Sequence, residues 1–246
     1  HTFFSQGHRP KELQPDSVHH RVYQAERDAT KALLDYYQIV MNGSFKAAIQ
    51  AIIRFARFDA ARFRLRDNLR AQALTVELIK GFFAFIEAGA IHLALYYLLK
   101  KRLPKTTQLK PVFLARKALK LLGVKGHLFS PGDQLTLTYI FYPKTHGTAK
   151  EELLASRSLI YSKLIEKEEV TANLETFPHV RNELACIRTV KLLTFEDCDR
   201  LFPLIHNIKT VHARQIVDDY LVRIKKLPRQ NRKRQSFNWQ TEGEYI

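Results

Sequence analysis

The chain has 246 residues, 46% of them apolar, and its 40 Lys and Arg against 24 Asp and Glu give a net charge of +16 and a pI near 9.9. An apolar share of that size excludes wholesale disorder and suits one large domain or two small ones, and scarce Gly leans toward helix. The basic excess favours polyanionic partners: nucleic acid, an anionic membrane surface or acidic protein segments. The alternative is a generally basic surface with no such partner.

Cys186 and Cys198 stand alone, without a CxxC pair or a His pair at zinc-finger spacing. No disulfide framework, metal or cofactor is expected, and a reducing compartment, cytoplasmic or nuclear, is the better expectation. The chain begins at His1 and not at Met, which reads as a trimmed start; a signal or membrane anchor outside it is left open.

In chain order, residues 1–16 are polar, contain Pro10 and Pro15, and predict a flexible N-terminal arm. A helix capped by Asp16 or Ser17 follows, with Val22, Leu33, Tyr36 and Val40 at helical spacing, and Asn42-Gly43 closes it. Tyr23, Tyr36 and Tyr37 are candidates for base stacking, although aromatics at helical spacing are more often core. Ser44 caps the next helix, 44–71. It has an apolar stripe at Phe55, Phe58, Leu65 and Leu69, with Arg54, Arg57 and Arg64 on one polar side and Arg62, Arg66 and Arg70 at i, i+4 and i+8 on a neighbouring face. Arginine suits bidentate phosphate or carboxylate contacts. Six arginines here meet only two local carboxylates, Asp59 and Asp67. Like charges four apart repel, so such a row implies a neutralising partner; intrahelical pairs such as Asp59 with Arg62 are the alternative.

Residues 74–102 hold the longest apolar run in the chain. Its apolar character nearly all round predicts either the buried central helix of a domain or a membrane span. Glu87 near its midpoint and the basic amphipathic flanks favour the buried reading. Pro104 ends it. Pro111 opens a helix with Val112, Ala115, Leu119 and Leu122 inward and Arg116, Lys117 and Lys120 outward, closed by Gly123. Ser130-Pro131-Gly132-Asp133 reads as a turn, and the alternation of Leu135, Leu137, Tyr139 and Phe141 over 134–142 predicts a strand, with Lys125–Phe129 as its short hairpin partner.

A basic helix ending in LLGV followed by this hairpin resembles the recognition helix and wing of a winged helix-turn-helix module, over residues 70–143. The resemblance implies a recognition helix in the major groove and a wing on the backbone, with Arg116, Lys117, Lys120 and Lys125 facing phosphates or base edges. The run at 74–102 is longer and more apolar than the usual supporting helix, and no Gly turn separates the two helices. The alternative is a hairpin that closes one end of a helical domain.

The second half, 148–226, predicts helices throughout. Thr148 with Glu151 has capping-box spacing, Pro178 opens a helix, Thr194 caps FEDCDRLFPLIHNI, and Thr210 caps the last one. Pro203 is expected to kink or shorten its helix. The final residues, 227–246, read as a basic disordered tail. The cluster reaching into it from residue 225 consists of Lys225, Lys226, Arg229, Arg232, Lys233 and Arg234 and contains no acid. Phosphate loops, HExxH, GxSxG and paired carboxylates at strand ends are absent, so no scaffold for two-metal hydrolysis is visible. Arg200 and His206, in RLFPLIH, resemble the Arg–His motif of HEPN-type ribonucleases, which implies phosphate binding by the Arg and acid–base work by the His. Leu201 stands where that family usually carries a polar residue, and Pro203 intervenes. A surface Arg and a half-buried His are the other reading.

The sequence therefore predicts a mainly α, multi-helix globular domain over 17–226, built on a long apolar central helix with one small β-hairpin. Non-catalytic binding of DNA or RNA is the expected function, with phosphates met by the arginines of 54–70, the basic helix at 116–125 and the tail. An adaptor that holds acidic segments of partner proteins, in a secretion or scaffold assembly, is the second reading, and a HEPN-like ribonuclease is the third. The sequence does not give the oligomeric state.

Overall fold

Helical periodicity governs the chain wherever it is described. The computed structural model describes residues 16–80, 83–167 and 176–224. Its elements are α1 (Asp16–Asn42), α2 (Phe45–Leu78), α3 (Leu93–Arg102), α4 (Leu114–Leu121), α5 (Pro131–Phe141), α6 (Ala149–Leu164), α7 (Pro178–Lys191), α8 (Phe195–Ile205) and α9 (Thr210–Arg223). The mainly α expectation holds. No helix among the described residues is long and apolar enough to cross a membrane. The expected arm lies outside the described residues up to residue 15, as do the basic tail and its six cations.

Two compact units make up the chain. The first holds residues through Asp35, Arg54–Val112 and Thr136–Thr145; the second holds Tyr36–Ile53, Phe113–Leu135 and the residues from His146 onward. In the first unit the buried line of α2 runs through Ala56, Ala60, Asp67, Ala71 and Leu74. These steps of three, four and seven mark one helical face. Ala71 and Leu74 pack with Leu95, Leu99 and Leu103 of the α3 segment, and Leu78, Ile86, Leu98 and Leu109 close over them. The stripe expected through Phe58 is displaced: that ring is exposed, and small alanines take the core-facing line instead.

The long central helix over 74–102 is not formed. α2 stops at Leu78, residues 83–88 lack helix, and a turn in which the His92 amide donates to the Gly89 carbonyl (2.9 Å) leads into α3. The stretch between the two helices, 79–92, contains GFFAFIEAGA, whose glycines and aromatics are weak helix formers. Breaking there lets Leu95 and Leu99 reach Ala71 and Leu74, so the end of α2 and the short α3 bury one face each where a single continuous helix would need burial all round.

The hairpin and wing are also overturned. Residues 134–142, read as a strand, belong to α5, and Lys125–Phe129 has no strand partner. The winged-helix resemblance loses its wing with them. The cause is local. Ser130 Oγ accepts from the Asp133 amide (3.1 Å), and the Asp133 carboxylate accepts from the Ser130 amide (2.9 Å). Pro131 sits at the first helical position, so Ser-Pro-Gly-Asp starts a helix here and does not make a turn. Burial of Pro131, Leu135, Thr136, Tyr139 and Ile140 then follows a helical face, against the β preference of the Thr and Ile.

In the second unit α6 packs on α7, α8 and α9, α8 packs on α9, and α4 packs on α7. Leu159, Ile160, Leu164, Val190, Leu201, Ile205, Val217 and Leu221 are fully enclosed. The Phe45 ring lies 5.4 Å from Phe195 and 5.6 Å from Phe202. Reciprocal caps start α6 at Thr148–Glu151 and α8 at Thr194–Asp197, and Asp197 also accepts from the Tyr220 hydroxyl at 2.7 Å. Pro203 lies inside α8 near its end. α9 is capped by Lys209 with no side-chain bond, and Thr210 is its first residue. Arg157 donates to the Lys191 carbonyl at the end of α7 and to the Leu193 carbonyl just after it, and Arg214 donates to the Leu164 carbonyl that ends α6. Both cysteines are buried and neither is in a disulfide, and burial pushes the Cys186 thiol up to about 12.

Burial, and secondarily the nearby Asp133 carboxylate, pushes Glu183 of α7 up to about 7 from an ordinary 4.5. The folded chain therefore holds this proton more tightly than the unfolded chain. The stability contributed is complete below the unfolded value and is lost as pH rises through about 7. Glu183→Gln should accordingly raise the melting temperature at about pH 8, and the gap to wild type should narrow as pH falls below about 7 and close only below the ordinary value of 4.5. Thermal melts followed by circular dichroism across that range check this.

Candidate nucleic-acid interface

α1 and α2 run antiparallel in the first unit, because Asp35 faces Arg54 while Glu26, nine residues earlier, faces Arg62 and Arg66. This pairing decides the state of the arginine row. Arg54 meets Asp35 at 3.1 Å. Arg62 donates through Nε and Nη2 to Asp59 at 2.9 and 2.6 Å and through Nη1 to Glu26 at 3.2 Å, with its guanidinium over the Phe63 ring. Arg66 takes the other Glu26 oxygen at 2.8 Å. Arg57 and Arg64 donate to the backbone carbonyls of Thr145 and Tyr139, and the Arg57 guanidinium lies 4.9 Å from the centre of the Tyr139 ring.

Arg70 completes the row. Its Nη1 lies 3.9 Å from Asp67 Oδ1 and 3.4 Å from both ring nitrogens of His92. Asp67 is fully buried, and His92 Nδ1 donates to it at 2.6 Å. A carboxylate on the core-facing line of α2 needs such partners. The pKa directions follow the same geometry. Burial pulls the Arg70 guanidinium down, with Arg66 adding to the effect. Burial opposes the charge on Arg62 too, but Asp59 and Glu26 together outweigh it and raise the value. Glu26, Asp59 and Asp67 thus match Arg62, Arg66 and Arg70 one for one. The sequence reading counted only the carboxylates on α2 and missed Glu26 and Asp35 on α1.

The other predicted cations behave differently. Arg116, Lys117, Lys120 and Lys125 are exposed, and none makes an ion pair with a described residue. On α4 they are held outward because Ala118 and Leu119 face the core. At about 100° per residue the three α4 cations span roughly 100° of the helix surface. Leu114 and Leu121, 86% and 67% exposed, lie along one edge of that arc. Gly123 ends the helix as foreseen. Its φ of +70° places it in the left-handed region, and the Val124 amide donates to the Leu119 carbonyl at 2.8 Å while the Gly123 amide donates to Lys120.

Five cations not singled out from the sequence join them: Lys100, Lys101, Arg102, Lys105 and Lys110, all exposed. Arg102 donates to the Asn68 side chain at 2.7 Å. The signal for them was present. From Ala88 to Gly132, 45 consecutive residues, there is no Asp or Glu and there are nine Lys and Arg. The first five belong to the first unit and the last four to the second.

Arg200 and His206 are not brought together. Six positions along a helix leave the two side chains roughly 120° apart around its axis. His206 Nδ1 donates to the Phe202 carbonyl at 3.1 Å and its ring stacks on Phe202, while Arg200 hydrogen-bonds to Tyr220. Among the described residues no group of three His, Cys, Asp or Glu could hold a metal ion.

Removing Asp67 should leave Arg70 without its buried counter-charge and His92 without its hydrogen-bond acceptor. Asp67→Ala is expected to lower unfolding stability by about 3 kcal/mol, and Asp67→Asn by less. Urea titration followed by circular dichroism measures both.

The chain is similar to a protein of Archaeoglobus fulgidus described only as uncharacterized, with 31% identity over 183 residues, which is 74% of this chain and 62% of that protein. The chain thus spans about three fifths of that relative's length. No family model matches the chain, and no solved structure matches it.

Proposed function

We propose that the chain binds nucleic acid without catalysis, through the exposed cations between Lys100 and Lys125, with the arginine row of α2 serving the fold. The observation that carries this reading is the acid-free stretch 88–132 with its nine solvent-facing Lys and Arg. A segment of that length without carboxylates has no local counter-charge, so its neutralisation is left to solvent ions or to a polyanion, and counterion release drives the second. An acidic protein segment would meet the same charge. The exposed Tyr97 ring, one turn before Lys100 and Lys101 on α3, favours bases over carboxylates.

The combined Arg116→Glu, Lys117→Glu, Lys120→Glu and Lys125→Glu variant should lose more than about tenfold in affinity for RNA or DNA. The slope of log affinity against log salt should shrink by about 0.7–0.9 per phosphate contact removed. Arg62→Gln with Arg66→Gln should melt at a lower temperature yet bind within about twofold of wild type, because those side chains serve α1. Fluorescence anisotropy at several salt concentrations reads both. Tighter binding of a poly-glutamate peptide, or of phosphatidylserine vesicles with loss on Leu114→Asn, would replace this reading with an adaptor or a membrane surface.

A further inference from the structure

Three aromatic side chains of the first unit are left in solvent. Tyr97 on α3 is 57% exposed, Phe141 at the end of α5 is 40% exposed, and Tyr142 after it is 68% exposed. Tyr97 and Phe141 touch with ring centres 5.7 Å apart and planes at 90°, and Tyr96 meets Tyr97 at 5.4 Å and 69°. Perpendicular pairs place an edge against a face, so each contact consumes at most one ring face and leaves others open. Leaving such rings uncovered forgoes the burial that large aromatics normally gain.

Lys100 and Lys101 follow Tyr97 at i+3 and i+4, the two positions that neighbour it on the helix surface. Both are long enough to reach the surface that borders Tyr97 on that face of the helix. Neither lysine makes an ion pair with a described residue. A flat apolar face with an unpaired cation one turn away matches a nucleotide whose base is free to stack while its phosphate is neutralised. In a duplex the base faces are already stacked on each other and only the phosphates are offered.

We infer that Tyr97 and Phe141, with Tyr142 beside them and Lys100 and Lys101 as phosphate contacts, form a stacking platform for single-stranded nucleic acid. This rests on the nucleic-acid reading above and narrows its ligand to unpaired strands.

The test uses the whole chain and labelled oligonucleotides of about twelve nucleotides: a single strand of RNA, one of DNA, the matching duplex, and a strand with abasic sites that keeps every phosphate. Single strands should bind about tenfold more tightly than duplex, and the abasic strand should lose about tenfold relative to its parent. Tyr97→Ala should lose about tenfold on the normal strand and nothing on the abasic one, while Tyr97→Phe should retain wild-type affinity. Circular dichroism confirms that each variant is folded, and the abasic comparison stands on the wild-type chain alone. Equal affinity for normal and abasic strands, or preference for duplex, would overturn the platform and leave the phosphate-binding reading intact. Absence of salt-dependent binding to all four oligonucleotides would remove both.

Discussion

Three arginines at four-residue intervals on one helix face repel each other, and α2 carries that arrangement at Arg62, Arg66 and Arg70. The first unit forms around the relief of that repulsion. Glu26 bridges the first two from α1, Asp59 holds Arg62 in place, and Asp67 draws in Arg70 from within the core. These contacts do more than cancel charge. The Glu26 bridge sets α1 alongside α2, and the bond from His92 to Asp67 ties the start of α3 to the middle of α2. A buried carboxylate is costly in isolation, so its partners are held in place as firmly as apolar packing would hold them.

Basic side chains divide their work by type. Arginines are drawn into the architecture: six on α2, and Arg157 and Arg214 on the ends of helices. A planar fork of donors suits both carboxylates and the unpaired carbonyls at helix ends. Lysines dominate what faces solvent between residues 100 and 125, where seven of them stand with two arginines. Gross charge therefore overstates the number of cations free for a partner, and the surplus sits away from the stretch with the densest arginines.

Much of the helical framework was legible in the sequence, and the failures have identifiable causes. Caps and breakers placed α1, α6, α7 and α8, the start of α2 and the end of α4, because Gly43, Gly123, Thr148, Pro178 and Thr194 act on their immediate neighbours; α4 itself starts at Leu114 and not at Pro111, and Val112 and Ala115, expected inward, are exposed. At Gly43 a Cβ would sit 2.6 Å from the Ile39 carbonyl oxygen, so the turn demands glycine. The strand over 134–142 was misread because alternation over a few residues is ambiguous and the Ser130–Asp133 exchange was taken for a turn. The run at 74–102 was read as one helix because apolarity was weighed above the glycines inside it. The identity of the candidate site was the least legible. Whether an arginine is free depends on which carboxylates the fold brings to it, and Glu26 lies 36 residues from Arg62. The acid-free stretch, by contrast, needed no fold to be seen.

The hydroxyl–carboxylate exchanges at the starts of α5, α6 and α8 all lie in the second unit and each spans only three residues. Little loop entropy is spent before such contacts form, so topology favours rapid acquisition of structure in this region. Asp197 extends the effect by accepting from Tyr220 while it holds the start of α8, so that a locally nucleated helix end also recruits α9. The last part of the chain is in this way equipped to order itself early, without waiting for the arginine–carboxylate lattice between α1 and α2.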